Sequence, residues 1–172
     1  MNKNIVLIGF MGVGKSTISR ELSKKADMIS LDTDHLIESM EKKSIKRIFK
    51  KKGEEYFRKQ EQKVAKWLEK SVTNTIISTG GGFFMVENLK EIGTIVYLKA
   101  SFDDILKRIL THSNAKQKLK KRPLLSDRKK ARELFDIREP KYLEVADVVI
   151  ELKDHSDIDN VLNDIVQSCK IK

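Results

Sequence analysis

An α/β protein with a parallel sheet covered by helices on both faces is what this sequence predicts, and three observations carry the prediction. Five short apolar runs alternate with helical stretches along the chain. The first run stops at a glycine-rich loop, Gly9 to Ser16, that opens directly into a helix. The pattern occupies 172 residues, the size of one compact domain. No internal repeat and no linker divides it, so residues 1–172 read as a single domain.

Each element has its own local reason. Asn4–Ile8 is an apolar run ending in glycine and reads as a buried strand, followed by a helix over Ser16–Lys25. Met28–Leu31 is the second strand. Asp34–Lys43 follows as a helix with Leu36, Ile37 and Met40 on one face. After Gly53, the segment Glu54–Lys70 places Phe57, Val64, Trp67 and Leu68 at helical spacing. Asn74–Ser78 is a third strand, stopped by Gly80, Gly81 and Gly82, and Thr94–Leu98 is a fourth. Ser101 stands at an N-cap position before a helix to Leu110, with Asp103 and Asp104 in its first turn. Thr111–Lys121 is nearly free of apolar residues and reads as a cationic loop ending at Arg122-Pro123. A helix over Arg128–Val145, a fifth strand at Asp147–Leu152 and a last helix over Asp157–Cys169, capped by Ser156, complete the order.

Composition excludes whole classes of protein. With 40% hydrophobic and 35% charged residues the chain has a full core and a solvated surface, unlike a disordered one. Eight glycines and two prolines exclude collagen-like and proline-rich readings. The single cysteine, Cys169, builds neither a disulfide framework nor a cysteine metal cluster, so a reducing, cytoplasmic setting is expected. No apolar run approaches the ~20 residues that span a bilayer, and no membrane partner is expected. The N-terminal run is cut short by Gly9, Gly12, Gly14 and Lys15, so no targeting segment is expected either. The net charge of +10 comes from 27 Lys and 8 Arg against 25 acids. Two lysine-rich clusters, Lys42 to Lys52 and Lys116 to Arg132, fit either a solvated face or a nucleic-acid surface. Nucleic-acid binding calls for interleaved aromatic residues, and only Phe49 falls within the first cluster; no nucleic-acid partner is expected.

Gly9-Phe10-Met11-Gly12-Val13-Gly14-Lys15-Ser16 satisfies G-x-x-x-x-G-K-[ST] and is followed by Thr17, with a strand before it and a helix after it. Its glycines let backbone N–H groups turn toward phosphate oxygens, and the helix N-terminus adds partial positive charge. Gly12, Val13, Gly14, Lys15, Ser16 and Thr17 are the candidate nucleoside-triphosphate contacts, with Lys15 on the terminal phosphates and the Ser16 hydroxyl on Mg²⁺. The sequence has neither an Asn-Lys-x-Asp guanine motif nor an aspartate followed three residues later by glycine. That pattern removes the GTPase reading and leaves a small P-loop kinase. Asp32, at the carboxyl end of the second strand, is a candidate Mg²⁺ ligand, since ligands of open α/β sheets collect at that edge. Asp34 either accepts a hydrogen bond from a substrate hydroxyl or caps the helix that begins at His35.

Gly53-Glu54-Glu55-Tyr56-Phe57-Arg58-Lys59-Gln60-Glu61 resembles the G-E-x-x-F-R-x-x-E stretch of shikimate kinases. The rest of that family's pattern is present in order: the phosphate loop, Asp32-x-Asp34, Gly80–Gly82, Arg122-Pro123-Leu124-Leu125, and Arg138 with Tyr142 four residues later. The resemblance implies a three-layer α/β/α P-loop kinase fold with a five-stranded parallel sheet, like that of nucleoside monophosphate kinases. It implies transfer of the γ-phosphate of ATP to the 3-hydroxyl of shikimate, with Mg²⁺, on the route to chorismate and the aromatic amino acids. The implied shikimate contacts are Asp34, Arg58, Gly80, Gly81, Gly82 and Arg138. The implied catalytic groups are Lys15, Asp34 and Arg122, and the Mg²⁺ shell is Ser16 and Asp32. Arg108 and Arg122 join the ATP contacts. A substrate-binding helical region at about 33–62, a lid at about 111–126 and a monomeric state complete the expectation.

Chemistry agrees with these assignments. Arginine forks match a carboxylate as lysine does not, so Arg58 and Arg138 suit the substrate's carboxylate. Arg58 is also placed to pair with Glu54 or Glu61 on its own helix, and Glu61 can orient it for the substrate. Three glycines after a strand would bring bare backbone N–H groups close to the substrate. Two segments depart from the family pattern: the Arg108–Arg122 interval is longer than usual, and Lys153–Ser156 stands where a proline is common. His35, His112 and His155 are scattered, without a cluster that would hold a metal. A gluconate or nucleotide kinase would share the loop and the sheet but not the Arg58, Glu61 and Arg138 set.

Overall fold

The computed structural model describes residues 4–111, 127–152 and 157–171. Five strands form one parallel sheet: β1 (Ile5–Ile8), β2 (Ile29–Asp32), β3 (Thr75–Ser78), β4 (Thr94–Lys99) and β5 (Val148–Glu151), in the order β2-β3-β1-β4-β5. Every residue of β1 and β3 is buried. Successive side chains of a strand point to opposite faces, so both faces of the sheet centre are covered. The helices are α1 (Lys15–Lys25), α2 (Thr33–Glu41), α3 (Ile45–Ser71), α4 (Leu89–Ile92), α5 (Phe102–Thr111), α6 (Arg128–Val145) and α7 (Ile158–Ser168). Among the described residues, no helix is long and apolar enough to cross a membrane.

At the amino edge of the sheet the buried side chain of Asn4 ties three segments together. Its amide donates to Val72 O at 2.7 Å and Ile92 O at 2.9 Å, and its Oδ1 accepts from Thr75 N at 3.1 Å. At the carboxyl edge, Phe10 of the glycine loop packs edge-on against Phe135 of α6 at 5.2 Å and Phe102 of α5 at 6.2 Å. That ring cluster seats the loop on the helices beside it.

The structure differs from the sequence reading at identifiable places. The second strand sits one residue later, so Asp32 ends it and also caps α2: its Oδ1 accepts from Asp34 N and His35 N. The cap is therefore Asp32, which leaves the Asp34 side chain to other work. Ile45–Lys52, within the lysine-rich cluster, is helical and continuous with the next helix except at Gly53, whose φ of 80° and ψ of 174° break the turn. Ile48 is buried and Phe49 partly so, which anchors that lysine-rich turn. Met40 and Trp67 are 47% and 45% exposed rather than core. A short 3₁₀ turn, Phe83–Met85, and α4 occupy a stretch that has no periodicity to reveal them. Asp157 caps the last helix, accepting from Asp159 N, while Ser156, the expected cap, lies outside the described residues. Residues 112–126, which carry Arg122 and nearly all of the expected lid, lie outside the described residues, as does the Lys153–Ser156 turn. Thr111 closes α5.

Candidate active site

The glycine loop leaves β1 at the middle of the sheet and enters α1 through Gly14, whose φ of 113° lies in the region that glycine adopts freely. The Lys15 ammonium donates to Gly9 O at 2.6 Å and Phe10 O at 3.1 Å, curling over the loop. Ser16 Oγ donates to Asp32 Oδ2 at 3.1 Å, and Ser78 Oγ donates to the same oxygen at 2.9 Å. Ser16, Asp32 and Ser78 thus converge at the carboxyl ends of β2 and β3. These are hard oxygen donors, the set that Mg²⁺ prefers. Arg108 of α5 donates to Val13 O at 2.9 Å, which places its guanidinium beside the loop.

A second cluster gathers around the three glycines. Asp34 lies in the first turn of α2, and its Oδ1 is shielded from solvent although the residue as a whole is half-buried. Burial pushes its carboxyl up to about 6, with Asp32 adding to the rise and Lys15 opposing it. Glu61 on α3 is 1% exposed. Burial pushes it up to about 7 against the pull of Arg58. Arg58 bridges Glu61 Oε2 at 2.5 Å and Glu54 Oε1 at 2.7 Å, so it pairs with both glutamates rather than one. Glu61 Oε1 and Asp34 Oδ1 are buried and have no hydrogen-bond partner among the described residues. Two enclosed acceptors without donors are unusual in a folded protein and call for a donor from a ligand or a proton of their own. From α6, Arg138 Nη1 donates to Gly81 O at 3.1 Å, and the Tyr142 hydroxyl donates to the same oxygen at 2.5 Å.

The glycines are explained by what surrounds their α-carbons. A Cβ at Gly80 would stand 2.6 Å from Asp34 Oδ1 and 3.3 Å from Glu61 Oε1. At Gly81 it would stand 3.5 Å from Arg138 Nη1, and at Gly82 it would overlap the Arg58 guanidinium. Gly80 N–H is not bare, as the sequence reading expects; it donates to Thr33 Oγ1 at 3.2 Å. The run of glycines makes room for two acids and two arginines. Ser78, Thr33 and the Tyr142 hydroxyl contact are absent from the residue-level reading. A serine closing an otherwise apolar strand and a buried threonine between two aspartates were the available signals for the first two. The structure brings Asp34, Arg58, Glu61, Gly80–Gly82 and Arg138 to one place, beside Lys15, Ser16 and Asp32.

Comparison with known proteins follows the same lines. The family profile for shikimate kinase matches residues 11–170. A shikimate kinase of Helicobacter hepaticus is 41% identical over 148 residues, covering 86% of each chain. One of Clostridium botulinum is 47% identical over 129 residues, covering 73% of this chain and 72% of its own. Among solved structures, a shikimate kinase of Acinetobacter baumannii in complex with shikimate superposes with a TM-score of 0.81 at 35% identity, covering 95% of this chain and 90% of that one. A gluconokinase of Sinorhizobium meliloti, at 11% identity and a TM-score of 0.57, shares the fold alone. With nearly the whole length matched in both sequence and backbone, the chain belongs to the shikimate kinase family.

Proposed function

We propose that the chain phosphorylates the 3-hydroxyl of shikimate with ATP, giving shikimate 3-phosphate and ADP. The observation that carries this reading is the cluster at Gly80–Gly82, where the half-buried Arg58, the buried Arg138 and two unpartnered carboxylate oxygens meet. A ring bearing one carboxylate and neighbouring hydroxyls supplies the complement: an anion for Arg58 and Arg138, and a hydroxyl donor for the orphaned oxygen of Asp34. In this reading Asp34 Oδ1 accepts the hydrogen bond of the attacking hydroxyl and receives its proton late in the transfer. Its raised carboxyl suits a group that must carry a proton near neutral pH. The hydroxyl is held in line and the ring is fixed by its carboxylate, so the rate gain comes from positioning.

The loop Gly12–Thr17 would cradle the phosphates, with Lys15 swinging from the Gly9 and Phe10 carbonyls to the terminal phosphates. Arg108, already beside Val13, would lie against the adenine side of the nucleotide. Ser16 and Asp32 would hold Mg²⁺, which when bound supplies charge neutralisation on the phosphates. Residues at about 33–62 form the substrate-binding region, and Arg122 would close from the lid at about 111–126. The test is ADP release from Mg-ATP with shikimate, set beside gluconate and nucleoside monophosphates. Stimulation by shikimate alone is expected; its absence, or stimulation by another acceptor instead, sinks the reading.

A further inference from the structure

We infer that Glu61 is a proton-uptake site coupled to the substrate's carboxylate: when an anion docks on Arg58 and Arg138, the Glu61 carboxylate takes a proton from solvent and remains in place as the neutral acid. The inference rests on the proposed docking of shikimate at those arginines. It starts from how the two oxygens of Glu61 are used. Oε2 accepts from Arg58 Nη1, and Oε1 is enclosed without a partner. Oε1 and Asp34 Oδ1 both lie within 3.3 Å of the point where a Gly80 Cβ would stand, so two carboxylates face one small space.

Charge then decides. The groups that face Glu61 are Arg58 on its own helix, with Glu54 behind it; Asp34 from α2; and Arg138 from α6. Tyr142 stands next to Arg138. Around Asp34 lie Asp32, His35, Glu38 and Lys15. Before substrate arrives, the two enclosed acids, Asp34 and Glu61, balance the two arginines. A substrate carboxylate adds a third negative charge and draws on the Arg58 fork that keeps Glu61 ionised. At 1% exposure, Glu61 has almost no water to offset that loss. Asp34 gains a hydrogen bond from the substrate hydroxyl, which favours its charged form. Glu61 Oε1 has no donor among the described residues, so the added proton settles there. Burial already holds Glu61 at about 7, so a modest further rise carries it through the neutral range. The neutral acid keeps Oε2 as an acceptor for Arg58, and the arginine stays oriented. Glu61 is thus a positioning residue whose charge follows the occupancy of the site.

Calorimetry of shikimate binding to the intact enzyme at about pH 7.5, in phosphate and in Tris, reads this directly. The apparent enthalpy should shift with the buffer's ionisation enthalpy, corresponding to uptake of roughly 0.3–0.7 proton. In the wild type, shikimate affinity should weaken above about pH 7, by up to roughly tenfold per pH unit. Glu61→Gln should remove the buffer dependence and flatten that pH profile. Binding by the wild type with a buffer-independent enthalpy overturns the inference while leaving the proposed function standing, and needs no variant. Proton uptake that persists in Glu61→Gln overturns it as well. Complete absence of shikimate binding by the wild type overturns the function reading, and this inference with it.

Discussion

Gly82 shapes the proposed substrate site through the atom it lacks. Its φ of −111° is open to any residue, so an alanine there meets no backbone strain. The added methyl would instead overlap the Arg58 guanidinium, with Cζ at 2.7 Å. A guanidinium is the far end of a flexible side chain and can move at little cost to folding. This one cannot move without leaving Glu54 and Glu61, and with them the line toward the substrate's carboxylate. Gly82→Ala should therefore leave the KM for ATP nearly unchanged. Losing a charged hydrogen-bonded contact costs about 1.5–3 kcal/mol, so the KM for shikimate should rise on the order of 10- to 100-fold. Steady-state kinetics with each substrate varied in turn checks it; equal rises in both KM values would show that the glycine serves the loop and not Arg58.

At the scale of elements, the break in α3 at Gly53 sets where Arg58 starts its approach to the site. A φ of 80° with ψ near 180° is a conformation kept almost entirely to glycine, and a Cβ there would touch nothing within 4 Å. Strain alone is at stake, without collision. The break is bridged by Glu41 at the end of α2, which accepts from Tyr56 at 2.6 Å and from Lys52 at 3.0 Å. Gly53→Ala should destabilise by about 1–3 kcal/mol in urea unfolding, because the bridged geometry resists straightening. An unchanged midpoint would mean that the helix straightens freely and that the bridge is weak. The same region shows what a sequence discloses. Apolar period and a glycine stop reveal the strands and the helix after Gly53, since burial writes itself into spacing. Ile45, Ile48 and Phe49 are spaced for a helix too, but the seven basic residues of the surrounding cluster, Lys42 to Lys52, mask it. The motif residues of the site were legible because each carries a distinctive chemistry. The use of Ser78 and Thr33, and the accommodation of side chains at the glycines, depend on contacts between distant segments, which local spacing does not record.

For the molecule as a whole, β1, β2 and β3 deliver the phosphate loop, the two aspartates and the glycines to one edge, and α3 and α6 bring the arginines to meet them. The surplus of +10 is largely lysine outside this place, while inside it acids and arginines nearly balance. Holding two acids in a confined site has a consequence for stability. Glu61 rises from its ordinary 4.5 to about 7 on folding, so the folded chain binds that proton more tightly than the unfolded one. Its contribution is present below the unfolded value and is lost as pH rises through about 7. Asp34, at about 6, acts in the same direction. The lowered carboxyls of Glu41, Glu55 and Asp127 act the other way, at pH values below their ordinary 3.8–4.5. Between about pH 5 and about pH 8 the ligand-free enzyme should therefore lose thermal stability. Glu61→Gln should lose less over the same range, by a difference on the order of 5 °C. Asp34 is present in both proteins and differs between them only through the loss of its charged neighbour in the variant. Parallel melting curves for the two proteins would place the titration elsewhere. A shallower slope in the variant would locate the pH sensitivity of the fold in the same carboxyl that orients Arg58, the proposed substrate contact.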